Sequence, residues 1–194
     1  MELVSKKAVA IADLNEFVSF DNYSENKQNE IKNILATVES RINSTTTFDE
    51  LNQTIANIQA ELSDVLTLEE ELAYLKELYR DEIFTYFDES DYESEAGTYI
   101  ASEAISVSLS LVNATSIAEV NKIVDDFKAL INNYLTVTEK VSLAESYKLL
   151  VDGTIEESYA SDERVVALVS ETKQKLDNMK THSELEQIMN NFNE

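Results

Sequence analysis

The chain has 194 residues, no cysteine, no proline and only two glycines, and this composition indicates an all-helical fold, because β-rich and α/β proteins need more glycine and proline in their turns. The absence of cysteine excludes a disulfide framework, a thiolate metal site and a cysteine nucleophile. The 38 acidic and 15 basic residues give a formal net charge of −23, which disfavours nucleic acid and anionic membranes as partners.

No apolar run approaches the roughly 18 residues of a membrane-spanning helix, so we expect no membrane insertion. The N-terminal sequence Met1-Glu2-Leu3 does not begin a signal peptide. We therefore expect an internal piece of a larger parent chain. The other domains of that parent would be its partners, and targeting signals would lie elsewhere in the parent.

The sequence repeats with a period of 69 residues, and under that shift residues 1–67 align with 70–136 without a gap. The identical pairs include Leu3/Leu72, Lys7/Lys76, Tyr23/Tyr92, Ile31/Ile100, Val38/Val107 and Glu50/Glu119. A third copy follows with small deletions, since Tyr159 lies 67 residues after Tyr92. We name residues 1–67 copy one, 68–136 copy two and 137–194 copy three, and predict a three-helix repeat in each, the third truncated at its C-terminal end.

The first helix of each copy is marked by apolar residues at helical spacing. They are Ile11, Leu14, Phe17 and Val18 in copy one, Leu75, Leu78, Ile83 and Phe87 in copy two, and Val141, Ala144, Tyr147 and Leu150 in copy three. We expect Asp152-Gly153 to end this helix earlier in copy three than in the other copies.

The second and third helices carry apolar stripes with steps of three and four residues. The second helix has Ile31, Leu35, Val38 and Ile42, then Ile100, Ala104, Val107 and Leu111, then Val165, Val169 and Leu176. The third has Leu51, Ile55, Ile58, Leu62 and Val65, then Val120, Val124, Phe127, Ile131 and Tyr134, then Leu185, Met189 and Phe192. Such stripes are typical of helices that pack in a left-handed bundle.

The start of the third helix carries the same capping signal in every copy. Thr47, Ser116 and Thr181 each precede a glutamate by three residues, which is the pattern of a capping box. Thr67 and Thr136 show the pattern again at the passage from one copy to the next. Because an up-down-up bundle enters at one end and leaves at the other, we predict tandem bundles stacked end to end as an elongated rod. A single compact domain of nine helices is the competing arrangement.

Few residues suit catalysis or metal binding. His182 is the only histidine, and Phe48 and Ile117 stand at its equivalents, so we interpret it as an exposed first-turn residue. The acidic run Asp88, Glu89, Asp91, Glu93 and Glu95 could in principle attract calcium, but it lacks the spacing of an EF-hand loop, so we expect a solvated loop. The prediction is no enzyme, no metal and no cofactor.

Copy two has three aromatic residues that copy one lacks. Tyr74, Tyr79 and Phe84 stand where copy one has Ser5, Ala10 and Asn15. Aromatic side chains anchor many protein and sugar ligands, and they also fill joints between bundles. We therefore name these three as a candidate partner-binding patch. A second aromatic set, Tyr23, Tyr92 and Tyr159, recurs before the second helix and is expected to close the bundle end.

The order of features resembles that of a known family. An alanine- and leucine-containing helix is followed by the turn Asp21-Asn22-Tyr23-Ser24, a helix with Ile31 and Ile34, a threonine-rich loop before Glu50-Leu51, and a final helix that closes with Leu66-Thr67. This order is similar to the FIVAR repeats of Gram-positive bacterial surface and secreted proteins. The resemblance implies an extracellular, cell-wall-associated or secreted parent, and it carries no catalytic residue.

Two functions follow as hypotheses. The first is a non-catalytic spacer or stalk, since the copies agree at core and cap positions and diverge on their surfaces. The alternative is an adhesion or binding module for a host protein or a glycan, which needs an exposed aromatic cluster on one copy. An intracellular coiled-coil adaptor stays open as a third interpretation.

Overall fold

The structure is a computed structural model that describes residues 2–193, and these residues form nine α-helices with no β-strand beyond one isolated bridge pair. The helices are α1 (Glu2–Asn15), α2 (Glu25–Ser44), α3 (Phe48–Ser63), α4 (Leu68–Glu82), α5 (Ser94–Asn113), α6 (Ile117–Asn133), α7 (Val137–Thr154), α8 (Glu163–Asn178) and α9 (His182–Asn193). The predicted all-helical class is confirmed.

The helices repeat with the period of the sequence. α2 and α5 both have 20 residues, and their bounds differ by 69 positions. Short 3₁₀ turns at Phe20–Asn22 and Glu89–Asp91 keep the same offset. The chain divides into two compact units, Met1–Leu75 and Lys76–Glu194, with the boundary inside α4. The boundaries that we predict at 67/68 and 136/137 are not tested by this division.

The core of the first unit lies among α1, α2 and α3, as the apolar stripes predict. Its fully buried side chains are Leu14, Ile31, Val38, Ile42, Leu51, Ile58 and Leu62. The prediction for Phe17 was wrong, because α1 ends at Asn15 and leaves this ring exposed. Val18 and Phe20, which follow the end of the helix, pack partly against the core instead.

The second unit has two separate cores. One contains Ile83, Ile100, Ala104, Phe127 and Ile131, with Phe87 packed edge-on against Phe127 at 6.2 Å between ring centroids. The other contains Leu135, Ala144, Val151, Leu176, Met179 and Leu185. Both cores use the predicted stripes of the second and third helices.

Two expectations for α7 were wrong. The helix runs through Asp152-Gly153 to Thr154, so at 18 residues it is longer than α1 and α4. One glycine costs a helix only about 1 kcal/mol, and no proline follows to stop it. The predicted stripe was right for Ala144 and Tyr147, which pack in the core, but wrong for Val141 and Leu150, which are exposed. Leu143 and Val151 face the core instead. Three successive steps of three residues turn about 180° around a helix, so the predicted set could not stay on one face.

All five predicted cap hydroxyls are used, and four of the five capping boxes are complete. The hydroxyls of Thr47, Thr67, Ser116, Thr136 and Thr181 each accept from the backbone N–H of the glutamate three residues on, at 3.1–3.4 Å. The glutamate carboxylate returns a bond to the cap N–H in four of them. In the fifth, Glu119 accepts from the N–H of Thr115, one residue earlier, at 2.7 Å. These bonds satisfy helix-start donors that would otherwise lack partners.

The two glycines have different roles. A Cβ on Gly97 would lie 2.7 Å from the carbonyl oxygen of Glu89, so this residue lets the Glu89–Asp91 turn lie against α5. The equivalent residue in copy one is Gln28, and its amide donates to the carbonyls of Phe20 and Tyr23 at 3.0 and 3.1 Å. Nothing lies within 4 Å of a Cβ on Gly153.

We expect opposite effects from the two alanine substitutions. Gly97→Ala should lower the free energy of unfolding by about 1–3 kcal/mol, because the backbone of the acidic turn would have to move. Gly153→Ala should raise it by about 0.5–1 kcal/mol, because alanine loses less backbone entropy in a helix. Urea denaturation followed by circular dichroism measures both. Equal effects of the two substitutions would contradict this account of Gly97.

Candidate functional site

His182 is exposed and is the first residue of α9, as the sequence predicts. It borders an open groove of about 470 Å³, whose other lining residues include Asn133, Tyr147, Leu185 and Met189. Within residues 2–193, no group of three or more histidine, aspartate or glutamate side chains is placed to hold a metal ion.

The acidic run Asp88–Glu95 is divided among separate bonds. Asp88 accepts from the backbone and hydroxyl of Ser90 at 2.9 and 2.7 Å, and these bonds lower the pKa of its carboxyl below the ordinary value. Glu93 and Glu95 instead bind lysines of copy three. Asp88 therefore caps the turn, and Glu93 and Glu95 form a pair that binds copy three. The expectation of a purely solvated loop missed the second part.

The three aromatic residues of the candidate patch have different surroundings. Tyr74 belongs to the first compact unit and is 54% exposed, whereas Tyr79 and Phe84 belong to the second unit. Phe84 is 48% exposed. Tyr79 is half-buried, with the ammonium of Lys128 6.0 Å from its ring centroid. Whether these residues bind a partner stays a prediction.

Lys128 lies closer to a neighbouring tyrosine of the same unit. Its ammonium is 4.5 Å from the ring centroid of Tyr86, whose hydroxyl donates to Glu82 at 2.9 Å. Burial, together with this hydrogen bond to Glu82, raises the pKa of Tyr86 to about 12. The contacts with Lys128 and Glu82 hold the Tyr86 ring in place, which favours a structural role. Of the recurring tyrosines, Tyr23 and Tyr92 pack against the cores, but Tyr159 is exposed, so the expectation was wrong for copy three.

The second unit contains a built joint between copies two and three. The N–H of Leu135 donates to the carbonyl of Lys180 at 2.9 Å, and Tyr134 and Thr181 form the isolated bridge pair. The backbone N–H and hydroxyl of Ser183 both donate to the side-chain oxygen of Asn133, at 3.1 and 2.8 Å. The three-residue passage from α6 to α7 is thus tied to the α8–α9 connection by main-chain and side-chain bonds.

Two ion pairs flank these bonds. Lys140, whose side chain is only 14% exposed, donates to Glu93 at 2.5 Å. Lys180 donates to Glu95, and this bond lowers the pKa of the Glu95 carboxyl and raises the pKa of the Lys180 ammonium. Both acids lie at the start of α5, where the positive end of the helix dipole also favours a carboxylate.

The passage from copy one to copy two has a different charge arrangement at the equivalent positions. Ser24 replaces Glu93 and Glu71 replaces Lys140. Lys27, which pairs with Glu30 at 2.8 Å, has a raised pKa, mainly through that bond and to a smaller extent through Glu71. The joint residues therefore differ from copy to copy, and the 69-residue identities did not reveal them. The signal that could have revealed the joint is a lysine beside the cap residues Thr136 and Thr181, at positions 140 and 180.

Two further open grooves lie within single units. One, of about 330 Å³, runs between α1 and α3, with Ala10, Leu14 and Leu51 among its lining residues. The other, of about 500 Å³, lies at the end of α7 and the start of α8 and is lined by Ile155, Val165 and Val169. Over residues 2–193, no helix is long and apolar enough to cross a membrane.

The buried joint pair should show a larger coupling than an exposed pair. A double-mutant cycle with Lys140→Met and Glu93→Gln should give about 1 kcal/mol, because the lysine is largely removed from water. The control is the exposed i,i+4 pair Lys122–Asp126 on α6, for which we expect about 0.3–0.5 kcal/mol. Urea denaturation measures both cycles. A joint coupling no larger than the control would show that the ion pair does not hold the two copies together.

No family model, curated protein or solved structure matches the chain. The resemblance to FIVAR repeats is therefore neither supported nor contradicted, and it stays a prediction.

Proposed function

We propose that the chain is a non-catalytic helical-repeat region that acts as a spacer or stalk in an extracellular, cell-wall-associated or secreted protein. The observation that carries the proposal is the joint between copies two and three. Three kinds of contact bridge the copies around the α6–α7 passage. They are a main-chain hydrogen bond, the Asn133–Ser183 hydrogen bonds and two ion pairs. A spacer requires joints of this kind, because a flexible joint would not hold two domains apart.

The location of these contacts supports end-to-end stacking. Copy two contributes the start of α5 and the end of α6, which lie at the same end of an up-down-up bundle. Copy three contributes the start of α7 and the α8–α9 connection, which lie at one end of its own bundle. Joints at bundle ends propagate along an axis, and helices of about 20 residues add about 30 Å per copy.

The distribution of differences between the copies gives further support. Core pairs such as Ile31/Ile100 and Ile42/Leu111 remain apolar and buried, and all five cap positions are used. Outward-facing positions differ in chemical type between the copies. Ser40 of copy one corresponds to Leu109 of copy two, and Glu30 corresponds to Tyr99. A spacer depends on the folded core and not on a particular surface.

A binding module for a host protein or a glycan is the second candidate. The exposure of Tyr74 and Phe84 favours it, because neither ring is used to fill a core. The half-buried Tyr79, which lies beside Lys128, weakens it. We therefore place this function second.

A length series tests the spacer. A second copy of residues 68–136 is inserted after residue 136, with Glu71→Lys in the inserted copy so that the new joint keeps a lysine opposite Glu93. The insertion should raise the frictional ratio in sedimentation velocity, because a rod grows only along its axis. Helix content per residue, measured by circular dichroism, should stay unchanged. The matched control replaces Tyr74, Tyr79 and Phe84 by the copy-one residues Ser, Ala and Asn and should leave the frictional ratio unchanged. A longer chain with an unchanged frictional ratio would indicate compact packing and would contradict the proposed spacer function.

A further inference from the structure

The outward face of α5 carries an aliphatic stripe that is more than half exposed among residues 2–193. At its C-terminal end the ammonium of Lys76 donates to the carbonyl of Val112 at 3.1 Å. Ile105, Leu109 and Val112 are 57%, 63% and 55% exposed. Their spacing of four and three residues places them on one side of the helix. Ile100, Ala104 and Leu111 form the opposite, buried side of the same helix. α5 therefore has two apolar faces, and only one of them is used by the fold.

Only copy two has this stripe. The equivalent residues of α2 in copy one are Ala36, Ser40 and Asn43. Those of α8 in copy three, at an offset of 65 residues, are Ser170, Gln174 and Asp177. All six are exposed. The three-helix repeat folds without aliphatic side chains at these positions, so the stripe is not a requirement of the bundle.

The stripe lies in the longest uncharged stretch of the sequence, which runs from the second half of α5 into the first turn of α6. Residues 104–118 include no charged side chain, although 53 of the 194 residues are acidic or basic. The nearest acid on α5 is Glu103, about 120° around the helix from Leu109. Elsewhere, two copies of a chain with net charge −23 would bring carboxylates together. The α5 stripe is the surface on which a second copy can approach with the least repulsion.

Three serine hydroxyls on α5 already have hydrogen-bond acceptors. The hydroxyls of Ser102, Ser106 and Ser110 donate to carbonyls one helical turn back on α5, at 2.8, 3.2 and 3.0 Å. Covering them therefore leaves no unpaired donor, and their small size permits close approach of a second helix. Apart from the Lys76 ammonium at its C-terminal end, the face is uncharged and largely apolar, so it can pack against itself, as a two-fold symmetric contact requires.

We propose that the chain self-associates through the α5 stripe, with Ile105, Leu109 and Val112 of one copy packed against the same residues of a second copy. The contact consists of one helix face, which is smaller than the roughly 800 Å² per partner of a standard interface, so the dimer is weak and depends on concentration. It is apolar, so added salt strengthens it by screening the repulsion between the two acidic chains.

Cysteine crosslinking tests the contact directly, because the natural chain has no cysteine. Leu109→Cys should give a disulfide-linked dimer on mild oxidation, with a yield that rises with protein concentration and with sodium chloride. Ser40→Cys, at the equivalent exposed position of copy one, is the control and should crosslink much less. Equal yields from the two variants would overturn the proposal.

Sedimentation equilibrium supplies a second readout. Leu109→Glu should weaken self-association about tenfold or more, because a carboxylate would be buried against apolar side chains. Ser40→Glu should leave association unchanged, and circular dichroism should show both variants folded, since both positions are exposed. A chain that stays monomeric at every concentration and salt level would overturn the proposal. So would a dimer lost on Leu149→Glu, on the exposed face of α7, and kept in Leu109→Glu.

Discussion

The capping box is the interaction on which the rest of the structure depends. In it the cap hydroxyl accepts from the backbone N–H of the glutamate, and the glutamate carboxylate accepts from the backbone N–H at the cap. A chain with no proline and only two glycines must turn between helices with ordinary residues. The box at Thr136 begins α7 and sets the direction of Lys140, while the box at Thr181 fixes the residues on both sides of it, Lys180 and Ser183. These are the residues that reach copy two. Local capping chemistry thereby places the long-range joint.

The capping carboxylates also connect stability to pH. Hydrogen bonds from Thr136, with the backbone bond contributing most, lower the pKa of Glu139 in the folded state. A carboxyl with a lowered folded pKa contributes stability above its unfolded pKa and loses that contribution as pH falls through the folded value. The same sign applies to Glu50 and Glu119, each with its pKa lowered by backbone and hydroxyl donors. The caps are therefore at full strength at neutral pH, where the negative net charge also keeps most of the surface from associating.

Much of the fold could be predicted from the sequence, because the features concerned are local. The five caps and the stripes of the second and third helices need only spacing and side-chain type. The errors occur where a rule based on single residues is outweighed by the stability of the surrounding helix or by helix geometry. Gly153 is a weak helix breaker, and here the surrounding helix runs on past it. The stripe of α7 was placed with equal steps of three residues, which ignores the 3.6-residue turn.

The joint and the α5 stripe could not be predicted in the same way. Glu93 and Lys140 are 47 residues apart, and pairing them requires the mutual position of two helix starts. Periodicity identified Ile100, Ala104 and Leu111 as a core face, but it did not show that Ile105, Leu109 and Val112 are more than half exposed. The exposure of these side chains depends on how the other helices lie around α5, which the local sequence pattern does not give. The aromatic residues drew attention because copy one lacks them, whereas the less conspicuous aliphatic replacements of Ser40 and Asn43 did not.

Small-angle X-ray scattering of the isolated chain at low concentration tests the central claim, that capped joints stack the copies into a spacer. Three bundles end to end predict a maximum dimension of roughly 100 Å and a rod-like distance distribution. A radius of gyration near the roughly 16 Å of a compact chain of this size would contradict the account.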